Sequence, residues 1–287
     1  MPRIAYVNGT YVRAAEAAVS IDDRGYLFAD AVYEVWSVFD GRLADLDGHL
    51  NRLERSLREL QIAMPMPRGS LFVVLNEVVR RNQIKEGMVY LQVSRGVAPR
   101  DHVFPENVKP AVVITARPVD REAAARKAES GIKAMSAPDI RWGRCDIKTV
   151  GLLPNVLAKQ AAKEQGAGEV IFVDANGLVT EGGSTNVYIV GADDVIRTRS
   201  LKANILAGVT RLNLLSVIAD LGLEIREEAF TLADAKTAKE VFISAATSLV
   251  MPIVAIDGDK IGNGLPGPVA LSLRDSYIDK ARRTAGV

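Results

Sequence analysis

Four short stretches of the chain carry side chains whose types and spacing could do chemistry. In RCDIKTVGLLPN, Lys148 lies in a mostly uncharged segment. A free lysine ammonium has a pKa near ~10.4, so only roughly one in a few thousand is neutral at pH 7. A lysine that forms an imine with a carbonyl must lose that proton, and apolar or cationic surroundings favour the loss. In LVTEGGSTNVYIV, Glu181 ends a strand-like run and small residues follow it. A carboxylate there could pair with a ring-nitrogen cation. In NILAGVTRLNLL, Gly208 lets the backbone turn, and Val209 and Thr210 open a helix. The free N–H groups of a helix start bind anions, phosphate especially, and the helix dipole adds about 0.3–1 kcal/mol. In PRDH, Arg100 and His102 share a long loop, and an arginine can hold a carboxylate through two hydrogen bonds. Each stretch also has an ordinary structural reading. Lys148 could keep its head in water, Glu181 could sit in a solvated polar turn, Thr210 could lie near an N-cap, and PRDH could be solvated loop charge.

The elements that must position these residues follow from periodicity. IAYV-NG-TYV reads as a hairpin, because Asn8-Gly9 accepts the positive φ of a type I′ turn. Ala31 to Phe39 alternates as a strand, and Asp40-Gly41 turns it back. Asp47 offers an N-cap to a helix whose Leu50, Leu53, Leu57 and Leu60 share a face that Arg52 avoids. A second helix, SLFVVLNEVVRRNQI, stops near Gly87. The strands MVYLQVSRG and AVVITARPV then flank the loop VAPRDHVFPENVKP, whose length and composition are unusual for a plain connector. The polar RPVDREAAARKAESG reads as a linker. Beyond it the chain alternates strands (GIKAMSA, GEVIFVD, NVYIVG, EVFISAA, IVAID) with helices (PNVLAKQAAKEQ, VTRLNLLSVIADLG, PVALSLRDSYIDKARR). The expectation is an α+β chain of two domains. Residues 1–118 form the smaller, 119–127 the linker, and 128–287 the larger.

Bulk composition narrows the function classes. The chain has 287 residues, enough for two domains, and at 48% hydrophobic and 25% charged it has the balance of an ordinary globular protein. Thirty-six basic residues face thirty-five acidic ones, so no general charge draws nucleic acid or a membrane surface. Cys145 is the only cysteine and His49 and His102 the only histidines, which leaves no zinc spacing and no internal disulfide. No apolar run approaches the roughly 20 residues of a membrane span, and the expectation is a cytoplasmic protein. P-loop, GxGxxG and GxSxG patterns are absent.

Taken together, an imine lysine, a carboxylate for a ring nitrogen, a helix start and an arginine for a phosphate are what pyridoxal 5'-phosphate requires. The sequence resembles the fold-type IV pyridoxal-phosphate aminotransferases, and within them the D-amino-acid (D-alanine) branch. The resemblance runs in order through DRGYLFADAVYEV, HLNRLERS, YLQVSRGVAPRDHVFPE, DIRWGRCDIKTVGLLPNVLAKQAA, TEGGSTNVYIV, NILAGVTR and FISAATS. It implies a small N-terminal α/β domain and a larger C-terminal pseudo-barrel domain.

By resemblance, Lys148 matches the Schiff-base lysine and Glu181 the carboxylate at the pyridine nitrogen. Arg52 matches the phosphate arginine, Val209, Thr210 and Ala246 supply phosphate amides, and Leu206 packs on the ring. Tyr33, Arg100 and His102 match the α-carboxylate trap of the D-specific branch. There the arginine and histidine come from the neighbouring subunit, so the resemblance implies a homodimer with shared active sites, exchanging amino groups between D-amino acids and 2-oxo acids. Two departures stand out: Gly183 where that branch commonly has serine, and Ala245-Ala246 where it often has hydroxyl residues. The alternatives within the fold are a branched-chain L-amino-acid aminotransferase, an (R)-selective amine transaminase and an aminodeoxychorismate lyase. Outside enzymes, the alternative is a cofactor-binding protein without turnover.

Overall fold

The structure, a computed structural model, describes residues 3–285. The chain divides into two compact units. One holds Met1–Asp120, Ile147–Gly151 and Ala281–Val287, the other Arg121–Asp146 and Leu152–Lys280.

In the first unit, β1 (Ile4–Val7) and β2 (Thr10–Arg13) form the expected hairpin, with Asn8 and Gly9 at φ 46° and 100°. α1 (Arg24–Phe28) leads to β3 (Ala31–Phe39), which returns into β4 (Arg42–Leu43). α2 (Leu46–Glu59) and α3 (Arg68–Arg81) precede β5 (Gly87–Ser94) and β6 (Ala111–Pro118). The sheet runs β2-β1-β6-β5-β3-β4 and is antiparallel throughout. The two-residue period of β3 sends Val32, Glu34, Trp36 and Val38 to one face. There the three apolar residues join Leu50, Leu53 and Leu57 of α2 and Leu71, Leu75 and Val78 of α3 in one core. Asp47 does not cap α2. The helix starts earlier, after Asp45 in a left-handed conformation (φ 55°), and Asp47 instead pairs with Arg68 at 2.8 Å.

The second unit begins with α4 (Arg121–Ser130), β7 (Ile132–Pro138), α5 (Leu153–Glu164), β8 (Glu169–Val173), β9 (Val179–Gly182) and β10 (Asn186–Val190). It continues with β11 (Ile196–Thr198), α6 (Val209–Asp220), β12 (Ile225–Arg226), α7 (Leu232–Thr237), β13 (Glu240–Ala245), β14 (Leu249–Ile256), β15 (Asp259–Lys260) and α8 (Pro268–Thr284). Its sheet runs β12-β11-β10-β13-β14-β7-β8-β9, with β15 on β14. β9, at one end of that path, also lies against β10, so the sheet curls toward a barrel. Every residue of β14 is buried, as expected of a strand covered on both faces.

The boundaries differ from the sequence expectation in two ways. Residues 121–127 of the expected linker open α4, a helix of the second unit, while Val119 and Asp120 belong to the first. The larger domain is also not contiguous, because Ile147–Gly151 belongs to the first unit. The reason is hydrogen bonding. The start of β3 would otherwise have an open edge, and residues 148–150 fill it. Tyr33 N donates to Lys148 O at 3.0 Å, Val150 N donates to Ala31 O at 3.2 Å, and Val32 bridges Thr149. Ile147 enters the first core. The last turn of α8 also groups with the first unit, where Arg282 pairs with Asp40 and Glu86.

Glu34 is the charged residue on the inward face of β3, and it is fully buried. Burial opposes a carboxylate charge unless donors satisfy it. Three do: His49 Nδ1 at 2.7 Å, Arg52 Nε at 2.7 Å and Arg52 Nη2 at 2.8 Å. Burial raises the Glu34 pKa, but attraction and hydrogen bonds from Arg52, then His49, outweigh it and hold the group at about 2, below its ordinary 4.5. A depressed folded pKa stabilises above the unfolded value, and the contribution is lost as pH falls toward the folded one. A gap of that size corresponds to about 3 kcal/mol. Glu34→Gln is expected to lower stability near neutral pH and to flatten the acid loss between pH 4.5 and about 2. Denaturant unfolding across that window measures both; superimposable acid limbs would show that Glu34 is not the linked group.

Candidate active site

In the first unit the strand-edge pairing fixes the backbone of Lys148, whose N–H also reaches the buried Ser56 Oγ of α2 at 3.4 Å. The Lys148 Nζ lies 4.3 Å from the centre of the Tyr33 ring. Tyr33 stacks on Tyr90 with centroids 5.6 Å apart, and the Tyr90 hydroxyl donates to Gln92 Oε1 at 2.8 Å. Burial pushes the Tyr90 phenol up to about 12, so it stays a neutral donor. The Lys148 Nζ therefore stands over the face of the Tyr33 ring, within cation–π distance. Arg52 is oriented by its two bonds to Glu34.

Among the described residues, Arg100 and His102 make no hydrogen bond or ring contact with Lys148 or Tyr33. Both are exposed, and both pack on Phe28: Arg100 Cζ lies 5.2 Å from the ring centre and the His102 ring 5.3 Å from it.

The second unit builds its own constellation. Glu181, at the end of β9, is 6% exposed. Its Oε1 accepts a short bond from Arg141 Nη1, and its Oε2 accepts from Leu206 N at 3.1 Å and Asn186 Nδ2 at 3.5 Å. Asn186 Nδ2 also donates to Leu206 O at 3.1 Å, so Leu206 is fastened on both sides of its backbone. Arg141 also holds Asp139 at 2.7 Å. Burial works against the Arg141 charge, and the bonds to Asp139 with the attraction of Glu181 more than offset it, raising its pKa above the ordinary value. Asp139, buried but bonded by Arg141 and Thr180, is held below the usual carboxylate range.

Gly208, rather than a residue nearer Thr210, is the N-cap of α6, and no side chain caps this helix start. A Cβ at Gly208 would come within 2.1 Å of Asn186 Oδ1, so only glycine fits beside the Asn186 that holds Glu181. Thr210 is the second helical residue. It is buried, and its Oγ1 has no hydrogen-bond partner among the described residues. Ala246 lies in the turn after β13, and in that turn Ser248 Oγ is likewise buried and unpartnered. Uncapped amides beside the orphaned Thr210 hydroxyl fit a phosphate, and the Glu181 carboxylate fits a protonated ring nitrogen.

The departure at Gly183 acquires a physical account. A Cβ at Gly183 would meet Lys159 Cδ at 2.6 Å and Glu169 Oε1 at 3.0 Å. The Lys159–Glu169 ion pair (2.8 Å) takes up the room a serine would need there. Glu181 draws its donors from Arg141, Leu206 and Asn186 instead. Glu34, His49, Arg141 and Asn186, which hold one another or the candidate residues Arg52 and Glu181, are not singled out by the sequence alone. Two of them left a signal: Glu34 is a charge at an inward position of an alternating strand, and Arg141 is a charge beside the lysine segment.

Residues 31–256 match the family described as amino-transferase class IV. The chain is 41% identical to the D-alanine aminotransferase of Bacillus licheniformis, over 96% of this chain and 98% of that one. It is 40% identical to the D-alanine aminotransferase of Staphylococcus haemolyticus, over 95% of each chain. Among solved structures, a T.th. branched-chain amino acid aminotransferase complexed with N-(5'-phosphopyridoxyl)-L-glutamate superposes with a TM-score of 0.89 at 26% identity, covering 100% of this chain and 96% of that one. The same enzyme with pyridoxamine 5'-phosphate gives 0.89 at 26%, over 99% and 96%. With the match spanning both units and the uncapped α6 start and buried Glu181 in place, the chain belongs to the class IV aminotransferases.

Proposed function

We infer that the protein is a pyridoxal-phosphate-dependent aminotransferase that moves an amino group between a D-amino acid of the D-alanine type and a 2-oxo acid such as 2-oxoglutarate. The observation that carries this reading is the start of α6, where uncapped amides at Val209 and Thr210 adjoin the unpartnered Thr210 hydroxyl. That is a receptor for the phosphate of a cofactor. The D-alanine aminotransferase relatives, near 40% identical over almost the whole chain, support the substrate class.

When bound, pyridoxal phosphate supplies an aldehyde for the substrate amine and a ring that draws electrons from the substrate Cα. The chain supplies the rest. Val209, Thr210, Ala246 and Arg52 hold the phosphate. Glu181, bonded by Arg141, binds the ring N–H. Lys148 holds the cofactor between turnovers and moves the proton at the substrate Cα, acting from one side only. Tyr33, Arg100 and His102 hold the α-carboxylate, and where that group is pinned decides which enantiomer presents its Cα–H to the lysine. Because two substrates use one site in turn, double-displacement kinetics follow.

We also read the protein as a cytoplasmic homodimer in which Arg100 and His102 serve the partner's site. Their exposure supports this. Among the described residues, no helix is long and apolar enough to cross a membrane. A branched-chain L-amino acid is the second reading, favoured by the solved structures, but their identity of 26% is well below that of the D-alanine enzymes.

Three outcomes are expected. The purified protein shows the yellow absorbance of bound cofactor, and D-alanine bleaches it while L-alanine and L-leucine do not; bleaching by L-leucine alone would move the substrate to the branched-chain class. Lys148→Ala lowers kcat by on the order of a hundredfold to ten-thousandfold, the worth of a positioned proton carrier, and full turnover in that variant would remove Lys148 from the chemistry. Arg100→Ala raises KM for 2-oxo acids by about tenfold or more, the loss of a charge-assisted hydrogen bond. Unchanged steady-state kinetics would place the carboxylate trap elsewhere.

A further inference from the structure

The loop that bears Arg100 and His102 is exposed, yet it is fastened from beneath by a residue outside the assigned site. Arg24 opens α1 and is 3% exposed. Its guanidinium spans three consecutive loop carbonyls: Nη1 donates to Asp101 O at 2.5 Å and Val103 O at 3.4 Å, and Nη2 to His102 O at 3.5 Å. Its Nε donates to Asp30 Oδ2 at 2.8 Å. Asp30 is held in turn by Arg95, at 2.7 Å and 3.0 Å, and Arg95 lies 3.6 Å from the centre of the Phe104 ring. At the base of the loop Gly96, at φ 110°, packs so closely on Lys109 that a Cβ would lie 2.1 Å from Lys109 O.

One ring ties this scaffold to the two functional side chains. Phe28 takes the Arg24 guanidinium at 4.8 Å, Arg100 at 5.2 Å and His102 at 5.3 Å. Arg24 thus fixes the main chain of Asp101-His102-Val103, while Phe28 gives the side chains on either side of Asp101 a shared surface. A guanidinium can hold an acid and several carbonyls in one plane; an ammonium has the charge without that fork.

We propose that Arg24 and Phe28 are positioning residues for the substrate-carboxylate pair, setting the geometry of Arg100 and His102 without touching the substrate. This rests on the carboxylate role given to Arg100 and His102 above. It adds that substrate affinity depends on a buried ion-pair network, Arg24–Asp30–Arg95, at a distance from the bound acid.

The test uses the purified enzyme with its cofactor, comparing wild type, Arg24→Lys, Arg24→Met, Phe28→Leu and Arg100→Ala. Amide hydrogen exchange is read over residues 97–106, alongside KM and kcat for a 2-oxo acid. Arg24→Met is expected to speed exchange in that loop by about tenfold or more, as local opening becomes easier, and to raise KM with a smaller change in kcat. Arg24→Lys is expected to recover only part of the protection. Phe28→Leu keeps the main-chain clamp, so it is expected to raise KM with little change in exchange, which separates positioning from general loss of structure. Unchanged loop exchange in Arg24→Met overturns the proposal. So does faster exchange with unaltered KM while Arg100→Ala raises KM, because the loop would then bind its acid without the clamp. Unaltered KM in Arg100→Ala itself would instead remove the carboxylate role on which the proposal rests.

Discussion

An ionised carboxylate taken out of water must be met by fixed donors, and this constraint shapes each unit around its candidate site residues. Glu34, Asp30 and Glu181 are all largely or wholly shielded, and each is met by arginine. The cost of burying one charge is severe, and a close, hydrogen-bonded opposite charge offsets it. Such a pair has few acceptable geometries, so the arginine becomes as immobile as the core around it. Glu34 orients Arg52 in this way, and Asp30 orients the Arg24 that carries the loop. For Glu181 the roles are reversed: the candidate site residue is the acid, and Arg141, itself paired with Asp139, donates to it. Removing one member leaves a buried charge alone, which is far worse than losing both.

The same pairs explain what the sequence makes legible. Local chemistry is plain in it. The Asn8-Gly9 hairpin, the alternation of β3, the leucine face of α2 and the glycine before α6 all follow from residues close in the chain. The α6 start is readable for that reason. Pairing across the chain is not. Arg141 meets Glu181 and Arg24 meets Asp101 over long separations that only the fold closes. The return of Ile147–Gly151 to the first unit is hidden for the same reason, because an open strand edge is a property of the sheet and leaves no mark in the segment that fills it. α7 is a different kind of miss. Its capping box, Thr231 with Asp234, is a local signal in plain view, but six residues give too little periodicity to attract notice.

Nearness to D-alanine enzymes in sequence and to branched-chain enzymes in backbone is consistent once the fold and the specificity are assigned to different parts of the chain. The backbone similarity covers the whole chain, in which two sheets have their strands set by burial and register. The arginine and histidine that would choose among acids sit on the loop between β5 and β6, at the surface of the first unit, where a change alters no core contact. A loop of that kind can be rebuilt without disturbing the sheet, provided its feet stay closed, as Gly96 against Lys109 keeps them here. The loop side chains are exposed, while the candidate cofactor residues Arg52 and Glu181 are tied into buried ion pairs. That asymmetry gives the loop's anchor more influence than its position suggests. Arg24 lies in the part of the molecule that packing holds fixed, yet it acts on the part that is free to vary.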